Sequence, residues 1–452
     1  MNEARPNIIM LVADTHRGRA LRHLGGSRVR TPFLDTLAAS GVSFTQMYGE
    51  GAVHHRVGVA SRASLVTGRS SPVASADPSG LDSVAARTIP ESVWTIPERA
   101  RDLGFMTYMV GKWSNDRASL HRSFQDGDAI DLCLSDVEGR ALRHRHDRTG
   151  HYAVDEATVL NGNSDELVAD AAVRFLHQWT GSQPFLLYVS FTMVEDDDVV
   201  AWMPKASQLE AVSSLRLAPM IPGFAGRSSA SSLAQLRAEA RAQLARYYAR
   251  IARLDHAVGR VLRELEARQF VNRTAVIYTA DRGVQIGEQG IWGGGTLYEE
   301  TVRVPLIMRG PGIPQNVLRS GLVTHRDVGA TIAAMIGVPR DPELSGISVL
   351  PLRGKATTVR NQLGLMVGYG HRAIIDGHHK LIQTRPLAAE IRQRFPHLEP
   401  GGASAQVFDL REDAREDHDL SDHPAMHAQR RRLEQRLLAW QRAINDPVLA
   451  FE

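Results

Sequence analysis

Asn7–Ala13, NIIMLVA, is an almost unbroken apolar run that ends on Asp14. A strand apolar on both faces must be covered on both, as a central strand of a parallel sheet is. Two further runs repeat the pattern, PFLLYVSF at 184–191 and AVIYTA at 275–280, the latter followed by Asp281. Helical signals lie between them. Thr31 and Pro32 open a helix that Gly41 stops, Thr95 and Pro97 open another that Gly104 ends, and a strand follows at 106–110. Ser164 caps a helix running to Trp179, and Tyr247, Ile251, Leu254, Val258, Val261 and Leu265 trace one face of a long helix. A helix over 326–336 closes this region. Such alternation predicts a large, mainly parallel sheet flanked by helices. From about Gly346 the pattern changes to short strands at 363–369, 372–375, 380–383 and 406–410, then a helix over 426–444. We expect two domains, 1–345 and 346–452.

Ligands of open α/β sheets collect beyond the carboxyl ends of the strands, so Asp14 and Asp281 are the first candidate site residues. Residues 58–69, GVASRASLVTGR, predict a helix that opens on small residues and carries Arg62 near its start. Backbone N–H groups at a helix start attract an anion, and a guanidinium can fork onto two of its oxygens. Ser61 and Arg62 are therefore candidate anion-binding residues. Lys112, in Gly111-Lys112-Trp113 after the strand at 106–110, is one of only four lysines, with Lys205, Lys355 and Lys380, among 53 basic residues.

These segments resemble the sulfatase family of the alkaline phosphatase superfamily. In that family Cys-x-Pro-Ser-Arg-Ala-Ser-Leu-x-Thr-Gly-Arg carries a Cys or Ser that becomes a formylglycine nucleophile. Ser61, Arg62, Ala63, Ser64, Leu65, Thr67, Gly68 and Arg69 match it. Gly111-Lys112-Trp113 matches a further family motif whose Lys contacts the substrate anion, so the resemblance adds Lys112 to the anion-binding candidates. Residues 275–309 and the C-terminal VFDLREDAREDHDL also follow family patterns, so the resemblance covers nearly the whole chain. It implies an alkaline-phosphatase-like α/β sandwich with a large mixed sheet, plus a smaller C-terminal α+β subdomain with an antiparallel sheet.

The resemblance also exposes substitutions. Gly58 stands at the nucleophile position and Ala60 at the Pro. Asp14 and Asp281 match metal ligands, but Thr15 and Arg282 stand at the other two ligand positions. Ser114 and Glu195 stand where the family has histidines that contact the transferred group, Gln289 replaces the His of a Gly-Glu-His-Gly motif, and Gly294 a catalytic Lys. His54 and His55 lie in the preceding loop, either as solvated loop residues or, as candidates, as a replacement nucleophile, base or ligand. We expect Arg282 to substitute for the metal between Asp14 and Asp281 in a buried ion-pair cluster, with Glu195 paired to Lys112 or Arg62. Its removal should then cost several kcal/mol. The alternative is an outward Arg282 and a surviving Ca²⁺, Mg²⁺ or Mn²⁺ site.

The expected function is therefore a sulfatase-like pseudoenzyme or repurposed enzyme, such as a transferase or lyase, that binds an anionic ligand, with no cofactor and no formylglycine. The alternative is a metal-dependent hydrolase of sulfate, phosphate or phosphonate esters with a non-standard nucleophile. Expected partners are a small anion or a protein, with self-association allowed. Basic and acidic residues are interspersed, 53 against 50 with a net charge of +3. That excludes a nucleic-acid stripe. No stretch approaches the roughly 20 apolar residues of a membrane span. Cys133 is the only cysteine, so no internal disulfide forms. With no signal segment at the start, a cytoplasmic location is expected.

Overall fold

The computed structural model describes residues 5–25, 29–51, 57–77, 84–132, 142–152, 158–159, 164–193, 233–351, 359–385, 404–446 and 448–449. Its framework is an eight-stranded sheet. The strands are β1 (Asn7–Ala13), β2 (Val42–Phe44), β3 (Met106–Lys112), β4 (Asp126–Asp131), β5 (Phe185–Ser190), β6 (Thr274–Ala280), β7 (Leu306–Arg309) and β8 (Val317–Arg319). The order is β8-β2-β7-β6-β1-β5-β3-β4. Five neighbouring strands, β6-β1-β5-β3-β4, are parallel, and β7 runs against both β6 and β2. Every residue of β1, β5 and β6 is buried, which is why these runs are apolar on both faces.

Two groups of helices flank the sheet. In one, α1 (Pro32–Ala39) and α5 (Ser164–Gln178) pack on α6 (Leu233–Ala267); in the other, α2 (Val57–Thr67) and α3 (Ile96–Asp102) pack on α7 (His325–Ile336). One local expectation is corrected, and one segment is more regular than its charge suggests. Thr31 precedes α1 but gives it no side-chain cap; the Asp255 carboxylate of α6 instead accepts from Phe33 N at 3.2 Å and Leu34 N at 2.8 Å. A tertiary carboxylate thus satisfies donors that a local cap would have met. The charged stretch after Asp116 is also more regular than a solvated loop. Asp116 caps α4 (Arg117–Ser123), β4 forms an edge of the sheet, and Arg143 is buried at 3.2 Å from Asp131 rather than free for an anion.

A four-stranded antiparallel sheet follows: β9 (Gln362–Val367), β10 (His371–Asp376), β11 (His379–Thr384) and β12 (Ser404–Asp409). Its alternation is two-sided. Leu363, Leu365, Ala373, Ile375, Ile382 and Phe408 pack on Tyr48, Ile291, Leu297 and Tyr298, whereas Ile374, Leu381 and Val407 meet Leu433 and Leu437 of α8 (His427–Ala443). The C-terminal sheet is therefore sandwiched between the main domain and the last helix.

Polar groups pin that junction. Lys380, fully buried in β11, lies 2.9 Å from Glu299 Oε1 and 2.8 Å from Glu416 Oε1, while Tyr48 Oη donates to Glu299 Oε2 at 3.3 Å. One ammonium faces two carboxylates. Burial, with Glu299 opposing Lys380, pushes the Glu416 carboxyl up to about 7 from its ordinary 4.5. A raised folded-state pKa stabilises below the unfolded value and loses that contribution as pH rises through the folded one. Denaturation from pH 4.5 to 8 should therefore show a stability contribution that fades toward about pH 7 and disappears in Glu416→Gln. An unchanged pH profile in that variant would refute the assignment.

Candidate functional site

Four adjacent parallel strands deliver the site. β6 ends before Asp281, β1 before Asp14, β5 on Ser190 and β3 on Lys112, so all four residues emerge at the carboxyl edge of the sheet. Lys112 is the last residue of its strand, which extends past the expected end at 110. The strand kinks at Gly111, whose φ is 87° and where a Cβ would fall 2.0 Å from the Ser190 carbonyl oxygen, so only glycine fits. Thr15, directly after Asp14, adopts φ 53°, a left-handed conformation that a β-branched residue rarely takes. It is held from both sides. Its N–H donates to Asp281 Oδ1 at 3.2 Å, and its carbonyl accepts from Tyr247 Oη of α6 at 2.9 Å.

Helix α2 begins at Val57, one residue earlier than expected, so Arg62 lies in its second turn rather than its first. From there the buried guanidinium spans three strand ends: Nε donates to Asp281 Oδ2 at 2.9 Å, and Nη1 to Ser190 Oγ and, at 3.3 Å, to the Lys112 carbonyl. Its Nη2 is buried with no hydrogen-bond partner among the described residues. Burial, the largest single influence, disfavours the charge, but Asp281, Tyr188 and Asp14 together outweigh it and raise the Arg62 pKa. Lys112 Nζ lies 2.5 Å from Asp14 Oδ2, and Arg282 Nη2 lies 3.7 Å from Asp14 Oδ1. Burial would raise the Asp14 carboxyl, yet Lys112, then Arg282 and Arg62, hold it down at about 2.

This arrangement corrects the expected role of Arg282. The guanidinium meets Asp14, but Asp281 is engaged by Arg62. With its side chain 31% exposed, Arg282 is at the rim of the cluster and not a buried bridge between the carboxylates. Gly294 shapes its position, because a Cβ there would fall 2.6 Å from Arg282 Nη1 and displace the guanidinium. Gly58 faces the same cluster. A Cβ at 58 would stand 2.8 Å from Asp281 Oδ2 and 3.5 Å from Arg282 Nε, so a side chain there requires the carboxylate to move.

The remaining sequence candidates separate from the cluster or fall outside it. Ser61 Oγ donates to the Glu50 carbonyl at 2.8 Å and so fastens the loop preceding α2. The Gln289 side chain is tied to Gln285 and to the Arg415 carbonyl. Ser114 is buried, and its carbonyl accepts from Arg87 Nε at 3.0 Å. His54, His55 and Glu195 lie outside the described residues. Sequence reasoning missed His325, whose ring joins Glu50 N at 3.1 Å and the Ala280 carbonyl at 2.7 Å, next to Asp281. The Thr324-x-x-Asp327 helix-start signature was its only sequence signal, placing the ring at the first position of α7.

An α/β fold of this strand order, with Asp14, Lys112, Arg62 and Asp281 clustered beyond its central strand ends, fits one class, the alkaline phosphatase superfamily. Residues 6–338 match the sulfatase family model, and residues 287–443 match the C-terminal model of N-sulphoglucosamine sulphohydrolase. The chain belongs to the sulfatase family. Relatives include arylsulfatase K of Rattus norvegicus, 24% identical over 382 residues, which cover 77% of this chain and 62% of that protein. An N-acetylglucosamine-6-O-sulfatase of Bacteroides thetaiotaomicron is 23% identical over 425 residues, covering 77% of this chain and 71% of its own. Among solved structures, BT4656 in complex with its substrate D-glucosamine-2-N,6-O-disulfate superposes with a TM-score of 0.74 at 20% identity, over 98% of this chain and 99% of that one. Phosphonate monoester hydrolase of Agrobacterium radiobacter gives 0.69 at 18% identity, over 97% and 96%. These likenesses support the sandwich fold.

The two arginines should differ sharply in their effect on stability. Arg62→Ala strands the buried Asp281 carboxylate and should cost about 3–5 kcal/mol in urea denaturation. Arg282→Ala removes a long, partly solvated pair and should cost less than about 1 kcal/mol. Equal losses would contradict the placement of Arg282 at the rim.

Proposed function

We propose that this sulfatase-family chain binds a small oxyanion at the carboxyl ends of β6, β1, β5 and β3 without formylglycine chemistry, as a pseudoenzyme or an enzyme repurposed in the same pocket. The charge balance carries this reading: Arg62, Lys112 and Arg282 surround two carboxylates, leaving one net positive charge. An incoming oxyanion meets that surplus and the unpartnered Nη2 of Arg62. A catalytic nucleophile has no counterpart at position 58, where the chain presents only backbone.

The family resemblance implies a divalent ion between Asp14 and Asp281. The residues present do not fit one. Each carboxylate is already paired with a cation, Thr15 and Arg282 supply no carboxylate, and among the described residues no third acidic or imidazole group joins them as a ligand set. A hard ion such as Ca²⁺ takes about six to eight oxygen ligands and would have to displace Lys112 and Arg62. The relatives named above point to sulfate or phosphonate groups on a larger molecule as the kind of anion to test first.

Sulfate or phosphate should raise the melting temperature, since a ligand at 100 times its Kd stabilises the native state by about 2.7 kcal/mol. Lys112→Ala should abolish the shift, and the protein should not turn over nitrophenyl sulfate, phosphate or phosphonate esters with Ca²⁺, Mg²⁺ or Mn²⁺ present. Stoichiometric bound metal with metal-dependent turnover would establish the hydrolase alternative instead. No thermal response to either anion would remove the binding reading.

A further inference from the structure

A second constellation lies on a different sheet, the C-terminal one. β10 and β11 join through a two-residue turn at Gly377 and His378, with Asp376 paired to His379 across the hairpin. Gly377 takes φ 63°, the left-handed conformation such turns demand. β12 ends beside this turn. His379 and Asp409 are register partners, and Leu410 N donates to the His378 carbonyl at 2.8 Å. Backbone pairing therefore fixes His378, His379 and Asp409 relative to one another without help from their side chains.

Their donor atoms converge. Asp409 Oδ2 lies 3.7 Å from His378 Nε2 and 4.0 Å from His379 Nε2, and the two imidazole centroids are 4.1 Å apart. One potential ligand atom from each residue falls within 4.8 Å of the other two. Tetrahedral zinc, with bonds near 2.0–2.1 Å, separates neighbouring donors by about 3.4 Å, so the Asp409 contacts to the two rings need to close by about half an ångström and the two imidazoles must draw together to match. Asp409 Oδ1 already accepts from Arg411 N at 3.0 Å, which orients the carboxylate and leaves Oδ2 facing the rings. The three side chains are partly exposed, at 36%, 19% and 21%, so an ion can enter from solvent.

We propose that His378, His379 and Asp409 form a metal site for a borderline-soft divalent ion of the Zn²⁺ class, with water completing the coordination. Two imidazoles and one carboxylate select this class over Ca²⁺ or Mg²⁺, which require oxygen ligands. The ion clips the β10–β11 turn to the end of β12. Arg411 is its competitor, since Nη2 lies 2.6 Å from His378 Nε2 and must swing away when metal binds. The site is independent of the proposed anion site, whose carboxylates follow β1 and β6 of the eight-stranded main sheet.

Titration of the full chain with Zn²⁺, and with Co²⁺ followed by its visible d–d absorption, tests the proposal. One ion per chain with a tetrahedral Co²⁺ spectrum is expected. His379→Ala and Asp409→Asn should each weaken binding by about tenfold or more. Arg411→Ala should tighten it, an effect that general loss of surface charge pairing would not produce at this one site. Asp14→Asn, provided its circular dichroism stays native, should leave Zn²⁺ affinity unchanged, and Lys112→Ala gives the same control if it does not. Absence of stoichiometric binding, or binding retained by the His379→Ala and Asp409→Asn variants, would overturn the assignment.

Discussion

Everything in the pocket follows from the problem of holding Asp14 and Asp281 at the ends of adjacent buried strands. The carboxylates belong to β1 and β6, which are hydrogen-bonded neighbours, so their charges stand close together where little water reaches. Two like charges in such a place need compensation. Here protein cations supply it: Arg62 from α2 answers Asp281, and Lys112 from β3 answers Asp14. The same guanidinium reaches Ser190 and the Lys112 carbonyl, so one side chain couples a helix to three strand ends. The cluster is thus part of the structural bracing of the sheet.

The two glycines at 58 and 294 read differently once this cluster is in view. Each lacks a side chain where one would intrude on a charged group, Asp281 in one case and Arg282 in the other. Family membership is secure from the framework, yet chemistry belongs to the site and not to the fold. A chain can keep the strands, helix α2 and the 275–309 segment of a sulfatase while its central charges pair among themselves. Conversely, Glu299 of that segment has a structural task here, since it meets Lys380 at the junction with the C-terminal sheet.

Much of the framework was legible beforehand. β1 occupies the expected residues 7–13, β5 falls within its expected run, β6 starts one residue before its own, and the C-terminal strands and last helix lie within a few residues of their expected bounds. The physical reason is that continuous apolar runs and period-two or 3.6 alternation report burial directly. The segment after Asp116 was illegible because its helix and edge strand are rich in charged residues, whose partners, such as Asp128 with Arg174 and Asp131 with Arg143, come from distant positions. The Asp255 cap on α1 was hidden for the same reason.

The sequence by itself determined the layered α/β framework, the placing of Asp14 and Asp281 at strand ends, and the lack of any side chain at position 58, because these depend on local pattern and residue identity. Only the tertiary structure decided which cation meets which carboxylate. Ion pairing depends on distances and desolvation set by elements far apart in the chain, so it gave Asp281 to Arg62, left Arg282 at the rim beside Asp14, and brought His378, His379 and Asp409 to one corner of the C-terminal sheet.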